Sequence, residues 1–532
     1  MSMITATTWV QRGFAARYPI KYDFDEAEFN RISASARLQL DDAKEDLAGA
    51  QLQGNSDGSR PNEGGVALPL ASKATTNTAD YGDLEEYDLD HYDDDDDQGF
   101  AGEPLNIMGN VQSLAYHQSN EEDPYITLRE NEEEDADREE LEILPTDNLI
   151  LAGRLEDEVA HLEIYVYEDE ADNLYVHHDI MLPAIPLAVE WISLPDDSRG
   201  SEKLRTGKNP GMNIAAVGMM EPDIELWDID TVDGMYPQAI LGPSEFNKSR
   251  KKKKKIRKNS ISNDYHVDAV ITLATNRQHR NLLLSGSADA TIKLWDLNKQ
   301  VCAHSFNDIH GHKVSSVGWT RSTAADSVFI SGGYDKFAVV SDARNPKKAA
   351  KWKFGHDIEK VMWDPIELNN FYVNTDDGTV HCFDWRTFKD NPTESQPLWE
   401  LKAHDSSISS FDVNPIIPGF LVTGSDDKTV KLWNVTDNKP SMVVSRDLDV
   451  GKVFSAQFAP DTEIGFRLAV AGSKGSVKIW DTSTNATVRR IFGNKIAPNG
   501  VEEPVREKTV GIQESGDESE EEEEGENDAM EE

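Results

Sequence analysis

The chain predicts an all-β fold, a ring of seven four-stranded blades, on three observations. First, Leu283–Leu297 (LLSGSADATIKLWDL), Leu421–Val435 (LVTGSDDKTVKLWNV) and Leu468–Thr482 (LAVAGSKGSVKIWDT) are copies of one unit. Each is a short apolar strand, a Gly/Ser/Asp turn, and an alternating strand ending in Trp-Asp or Trp-Asn. Second, that ending recurs at Trp227-Asp228, Trp295-Asp296, Ser341-Asp342, Phe383-Asp384, Trp433-Asn434 and Trp480-Asp481, which makes six copies. Third, a degenerate seventh copy lies upstream, in residues 148–154 (NLILAGR), 160–167 (AHLEIYVY) and 174–178 (LYVHH).

Self-similarity at about 40–50 residues per copy, closed by Trp-Asp, is the mark of a WD40 β-propeller. Period-2 alternation, as in residues 291–295 (TIKLW), fits a strand packed between neighbouring blades. A single blade cannot bury both its faces, so the copies must close into a ring. The first strand of each copy also repeats: residues 314–319 (VSSVGW), 358–363 (IEKVMW), 408–413 (ISSFDV) and 453–458 (VFSAQF). The upstream copy has no such strand directly before Asn148, but residues 4–9 (ITATTW) match one. Residues 4–10 are therefore expected to be the first strand of blade one. Residues 11–147 become an excursion between its first two strands, residues 148–495 the propeller and residues 496–532 a tail. Closing a ring with a terminal strand removes exposed edges.

A chain of 532 residues holds a propeller of roughly 300 with long appendages. The hydrophobic fraction, 38%, is low for a compact domain, and the deficit is local. Residues 41–140 and 514–532 are acidic and poor in branched apolar side chains, so both are expected to be disordered. They hold most of the net charge of −45, which favours solubility and basic partners. Only Cys302 and Cys382 are present, fewer than a secreted chain of this length would carry, which favours a reducing compartment, and they form no CxxC pair, which argues against thiolate zinc. The N-terminus lacks a signal-peptide core, and no apolar run nears 20 residues, so no membrane association is expected.

Within the excursion, Phe29, Ile32, Ala36, Leu40, Ala43 and Leu47 fall at helical spacing, predicting an amphipathic helix near residues 25–51. It either rests on an apolar surface or stands solvated. Residues 195–210 read as a Gly/Pro/polar loop. The loop 242–264 carries Arg250, Lys251, Lys252, Lys253, Lys254, Lys255, Arg257 and Lys258, interrupted only by Ile256. A flexible basic run of this kind binds an import receptor or a nucleic-acid backbone, so a nuclear location is expected. In the tail, Ser515 and Ser519 stand among Glu and Asp, a setting suited to an acid-directed kinase.

His404, Thr423, Asp427 and Trp433 in blade six can hydrogen-bond in series. A His–Asp–hydroxyl group suggests nucleophilic catalysis, but in a blade it satisfies buried polar atoms and pins strands. His310 has the same register in blade four, whereas His356 stands too close to Ile358 for a complete set in blade five. Catalytic templates fail: Gly207-Lys208 is followed by Asn209, so there is no P-loop, and there is no HExxH. No enzyme activity, cofactor or small-molecule substrate is expected. Lys336, Lys428 and Lys474 fall in turns between second and third strands, where they either meet phosphate or solvate the turn.

The segments outside the repeats carry a resemblance. They are residues 5–15 (TATTWVQRGFA), 84–92 (LEEYDLDHY), 123–128 (DPYITL), 145–150 (PTDNLI), 175–180 (YVHHDI) and 222–229 (PDIELWDI), the last followed by the polylysine loop. Together they make nearly the whole chain resemble the periodic tryptophan protein 1 family of eukaryotic nucleolar WD40 proteins. That resemblance implies a ribosome biogenesis factor in large-subunit pre-ribosomal RNA processing, with links to chromatin and ribosomal gene transcription. Its implied partners are ribosomal proteins, assembly factors and pre-ribosomal RNA. A rival resemblance is to WD40 substrate receptors of cullin-RING ubiquitin ligases, which carry Asp-x-Arg after the third strand of consecutive blades. Here those are Asp342-Ala-Arg344 and Asp384-Trp-Arg386, making Arg344 and Arg386 the adaptor contacts in that reading. A chromatin reader would need an aromatic cage at the channel mouth.

Overall fold

Strands such as Leu282–Ser287, Val328–Gly333 and Phe420–Ser425 are buried along nearly their whole length, so their sheets need cover on both faces, and the fold supplies it by stacking sheets around an axis. The computed structural model describes residues 2–22, 141–195, 211–242, 262–388, 396–493 and 507–512. They form seven antiparallel four-stranded sheets, the blades of a β-propeller. Blade one is Ser2–Val10, Asn148–Glu156, Val159–Glu168 and Asn173–Leu182, so its innermost strand comes from the start of the chain. Blade two is Pro186–Pro195, Gly211–Met219, Ile224–Asp228 and Ala239–Leu241. The innermost strands of the other five are Val270–Thr275, Val314–Trp319, Ile358–Trp363, Ile408–Val413 and Val453–Phe458.

Register repeats from blade to blade. Every innermost strand carries a bulge near its start, after the first paired position in blades two to seven and after the third in blade one: Ile4/Ala6, Pro186/Ala188, Val270/Thr272, Val314/Ser316, Ile358/Lys360, Ile408/Ser410 and Val453/Ser455. A bulge adds local twist, which turns each blade like a propeller vane. The core is divided among seven clusters, one at each blade–blade interface. The cluster closing the ring joins Ile4, Trp9, Ile150 and Tyr165 of blade one to Ala459, Ala469 and Ile479 of blade seven. Each fully buried aliphatic or aromatic side chain contributes about 1.5–3 kcal/mol of transfer free energy.

Hydroxyls pin adjacent blades at equivalent places. Thr5 Oγ1 donates to Pro186 O at 2.7 Å, Ser315 Oγ to Ile358 O at 2.5 Å, and Ser409 Oγ to Val453 O. One place further along, Val317 N donates to Thr272 Oγ1 at 3.3 Å and Ala456 N to Ser410 Oγ at 2.8 Å.

The C-terminal boundary differs from the sequence expectation. Lys508–Gly511, assigned to a tail, is the fourth strand of blade seven and pairs with Val477–Asp481. Between the third and fourth strands of that blade, Ala486–Phe492 forms a helix capped by Asn485, whose Oδ1 accepts from Thr487 N and Val488 N. Its Phe492 ring packs 4.6 Å from Phe420. The predicted helix at 25–51, the loop 196–210, the basic run Arg250–Lys258, and Ser515 and Ser519 lie outside the described residues.

Candidate functional site

The four residues singled out in blade six stand in series. Trp433 Nε1 donates to Thr423 Oγ1 at 2.9 Å, Thr423 Oγ1 is 2.8 Å from His404 Nε2, and His404 Nδ1 is 2.8 Å from Asp427 Oδ2. Because the threonine oxygen accepts from the indole, its single proton goes to Nε2. The imidazole then carries its own proton on Nδ1 and donates it to Asp427. Burial pushes the His404 pKa down and outweighs the aspartate beside it, so the ring is neutral. Burial acts upward on Asp427, but donors from Thr429 and His404 hold it below its usual value.

Blade three holds an equivalent set that the sequence reading missed. His266 Nδ1 lies 3.1 Å from Asp289 Oδ2 and Nε2 lies 2.6 Å from Ser285 Oγ, which accepts from Trp295 Nε1 at 2.8 Å. His266 stands four residues before Val270, the spacing of His404 before Ile408, so the signal was present in DYHVDAV. Blade four has His310, Ser331 and Asp335 at 2.8 and 3.1 Å, but Ser341 replaces the tryptophan and its buried Oγ has no partner among the described residues. In blades five and seven Val373 and Val470 fill the hydroxyl position, and His356 instead sits 3.4 Å from Asp376 on the surface. These hydroxyls are closed to substrate: Ser285 and Thr423 are 0% and 1% exposed, with an indole seated on each oxygen. The groups act as strand pins.

The rims differ. Lys336 and Lys428 occupy the left-handed turn position, with φ of 67° and 68°, a place taken in other blades by Ala290, Gly378 and Gly475. Lys474 comes one residue earlier and pairs with Asp449, while Lys336 Nζ donates to Gly355 O at 3.1 Å, so these lysines serve neighbouring turns. Arg344 is 69% exposed and 3.1 Å from Asp326, and Arg386 is 61% exposed and forks onto Asp384. His356, Asp376 and Asp377 bring three potential ligand atoms together on an exposed turn, where Asp377 already accepts from Thr375 and Thr379.

The family described as WD domain, G-beta repeat matches residues 261–296 and 395–434, inside blades three, five and six. An uncharacterized WD repeat-containing protein of Schizosaccharomyces pombe is 41% identical over 97% of this chain and 95% of its own length. Periodic tryptophan protein 1 of Saccharomyces cerevisiae is 38% identical, over 93% of this chain and 90% of its own. The chain belongs to the periodic tryptophan protein 1 family. A Drosophila melanogaster homolog of that protein is 29% identical over 93% of this chain and 97% of its own length.

Membership at this coverage means the family likeness extends beyond the repeats. In this member, tryptophans stand at the sixth place of four innermost strands, counted from the residue before each bulge (Ile4, Pro186, Val314 and Ile358): Trp9, Trp191, Trp319 and Trp363. Trp319 Nε1 donates to Ala274 O of the preceding blade at 3.2 Å, and Trp9 Nε1 does the same to Gln457 O at 3.1 Å.

Proposed function

We propose that this chain is a non-enzymatic scaffold for ribosome biogenesis, acting in large-subunit pre-ribosomal RNA processing and assembly in the nucleolus. The likeness to periodic tryptophan protein 1 along almost the entire chain carries the reading, because propellers by themselves serve many functions. The geometry agrees in one respect: the Ser/Thr–His–Asp groups of blades three, four and six are buried in strand pinning. In this reading the ring is a rigid docking surface, and the acidic segments engage basic ribosomal and assembly proteins, raising effective concentration. The run Arg250–Lys258 engages an import receptor. Affinity purification with crosslinking tests it. Recovery of large-subunit precursors and their RNA is expected; a ligase adaptor recovered without them would overturn it. Deleting Arg250–Lys258 should lower nuclear accumulation.

The ubiquitin-ligase receptor reading is favoured by one observation, the exposure of Arg344 and Arg386 on consecutive blades. It expects adaptor copurification that is lost in R344A/R386A.

A further inference from the structure

The innermost strands enclose a cavity of about 580 Å3 along the ring axis. Its wall carries four cationic side chains, Arg277, Arg280, Arg321 and Lys360, and three carboxylates, Glu190, Glu359 and Asp412. The carboxylates are engaged by the protein. Glu190 accepts from Thr275 N and Oγ1 at 3.2 and 2.7 Å, Asp412 from Phe458 N at 2.8 Å, and Glu359 from Tyr334 OH at 2.8 Å. Glu190 and Asp412 do equivalent work. Each sits at the fifth place of its innermost strand and receives the amide of the sixth place in the next blade.

The cations are different. Arg277 and Arg321 occupy the same eighth place, counted from Val270 and Val314, just beyond the innermost strands of adjacent blades three and four. Equivalent places in neighbouring blades bring the two guanidinium groups to one mouth of the channel. Burial and repulsion from Arg277 push the Arg321 pKa down to about 10. Lys360, at the third place of its strand in blade five, lies further in and is also pushed down by burial. Asp412 and Glu190 act on Lys360 and Arg321 through space. Among the described residues, however, the side chains of Arg277, Arg321 and Lys360 form no hydrogen bond or contact ion pair. Only Arg280 is partly engaged, 3.4 Å from Ser193 Oγ and over the Phe14 ring.

We propose that this mouth binds a small, multiply charged phosphate-bearing anion, with Arg277 and Arg321 as paired forks and Lys360 as the inner point charge. Planar guanidinium groups match phosphate oxygens bidentately, and a phosphoryl group brings close to two charges where a carboxylate brings one. Arg321 and Lys360 are partly buried in the wall, which strengthens their contacts relative to open solvent. A site of unpaired cations is also conspicuous in a chain of net charge −45, whose own acidic segments are the competing anions.

Calorimetric titration of the full chain with sodium tripolyphosphate tests the proposal. Saturable one-to-one binding is expected, weakening with salt. R277Q/R321Q should bind at least about tenfold more weakly, and Lys360→Met should weaken binding in the same direction. R344Q/R386Q, which removes exposed guanidinium groups already paired with carboxylates, should bind like the unaltered chain. The thermal midpoint of R277Q/R321Q should shift little without ligand, since neither guanidinium group holds a hydrogen-bond or contact ion-pair partner and their through-space attraction to Glu190 and Asp412 is offset by their mutual repulsion. Absence of binding by the unaltered chain, or equal binding by a natively folded R277Q/R321Q, would overturn the site. So would a peptide of residues 514–532 binding as tightly as tripolyphosphate, because the mouth would then read carboxylates.

Discussion

The indole Nε1 of Trp9 donates to the main-chain carbonyl of Gln457, 3.1 Å away and 448 positions later in the chain. It is the same joint that Trp319 makes to Ala274 between blades three and four, used here where blade one meets blade seven. Ring closure therefore depends on a strand with no short covalent link to its sheet. Trp9→Phe should cost about 1 kcal/mol, the indole donor alone. Trp9→Ala also empties a site among Ile150, Tyr165 and Ala459 and should cost about 3–5 kcal/mol. Denaturant midpoints measure both; an unchanged midpoint for Trp9→Ala would show that the ring closes without this strand.

The buried histidines predict acid sensitivity. Burial lowers the pKa of His266 and His404 in the folded state, while the unfolded chain takes up protons near pH 6.5. Their contribution is full above that value and declines as pH falls below it. Asp289 and Asp427, held below their usual range, add a loss of the same sign at lower pH. The histidines' own contribution should therefore fall between about pH 7 and pH 5, so His404→Gln should lose less stability over that range than the unaltered chain. Thr423→Val strands the Trp433 and His404 nitrogens and should cost about 1–3 kcal/mol at pH 7. Ser341→Ala, which removes a buried hydroxyl without a partner, should be neutral or stabilising by up to about 1 kcal/mol. Equal losses for Thr423→Val and Ser341→Ala would contradict the pinning role.

The blade count and the N-terminal strand were legible because both rest on alternation and on a Trp-Asp ending that recurs. Trp9 could be read as part of a blade because residues 4–9 repeat the pattern of residues 314–319. The blade-six set was legible from spacing alone; its blade-three twin has identical spacing and was overlooked. The strand Lys508–Gly511 was not legible. Four residues (KTVG) beside a Glu-rich run show no periodicity, and the strand is defined by the open edge of Val477–Asp481, a tertiary cause. The channel cations were equally hidden, because their meaning comes from equivalent places in adjacent blades, not from proximity in sequence.

Glu225 predicts a pH response of opposite sign. Trp227 Nε1 donates to Glu225 Oε2 at 3.0 Å, because Val217 fills the place where blades three and six carry Ser285 and Thr423. Burial raises the Glu225 pKa to about 7. The folded chain thus keeps this proton up to about pH 7, whereas the unfolded chain releases it near pH 4.5. The stabilisation is present below pH 4.5 and lost as pH rises through 7. Glu225→Gln keeps an oxygen for Trp227 without the charge. It should stabilise the fold by about 1–3 kcal/mol at pH 8 and have little effect near pH 4.5. Denaturant melts at the two pH values decide it, and a pH-independent difference would rule out titration of this group.

Blade seven is completed from beyond its helix, and truncation can test that. Glu507, directly before the last strand, pairs with Arg446 of blade six at 2.8 Å and accepts from Asn485, the residue that caps the helix. The strand thus ties its own sheet to the next blade and to the helix start. Ending the chain after Ile512 keeps all of this and should leave the thermal midpoint unchanged. Ending it after Gly493 removes the strand and strips the partner from Arg446, and should cost about 1–3 kcal/mol. It also bares the Val477–Asp481 edge, so the shorter chain should self-associate, because an unpaired strand edge accepts another strand. Light scattering and thermal melts of the two truncations side by side check both effects. Equal midpoints and equal scattering would mean that Lys508–Gly511 adds nothing to the blade.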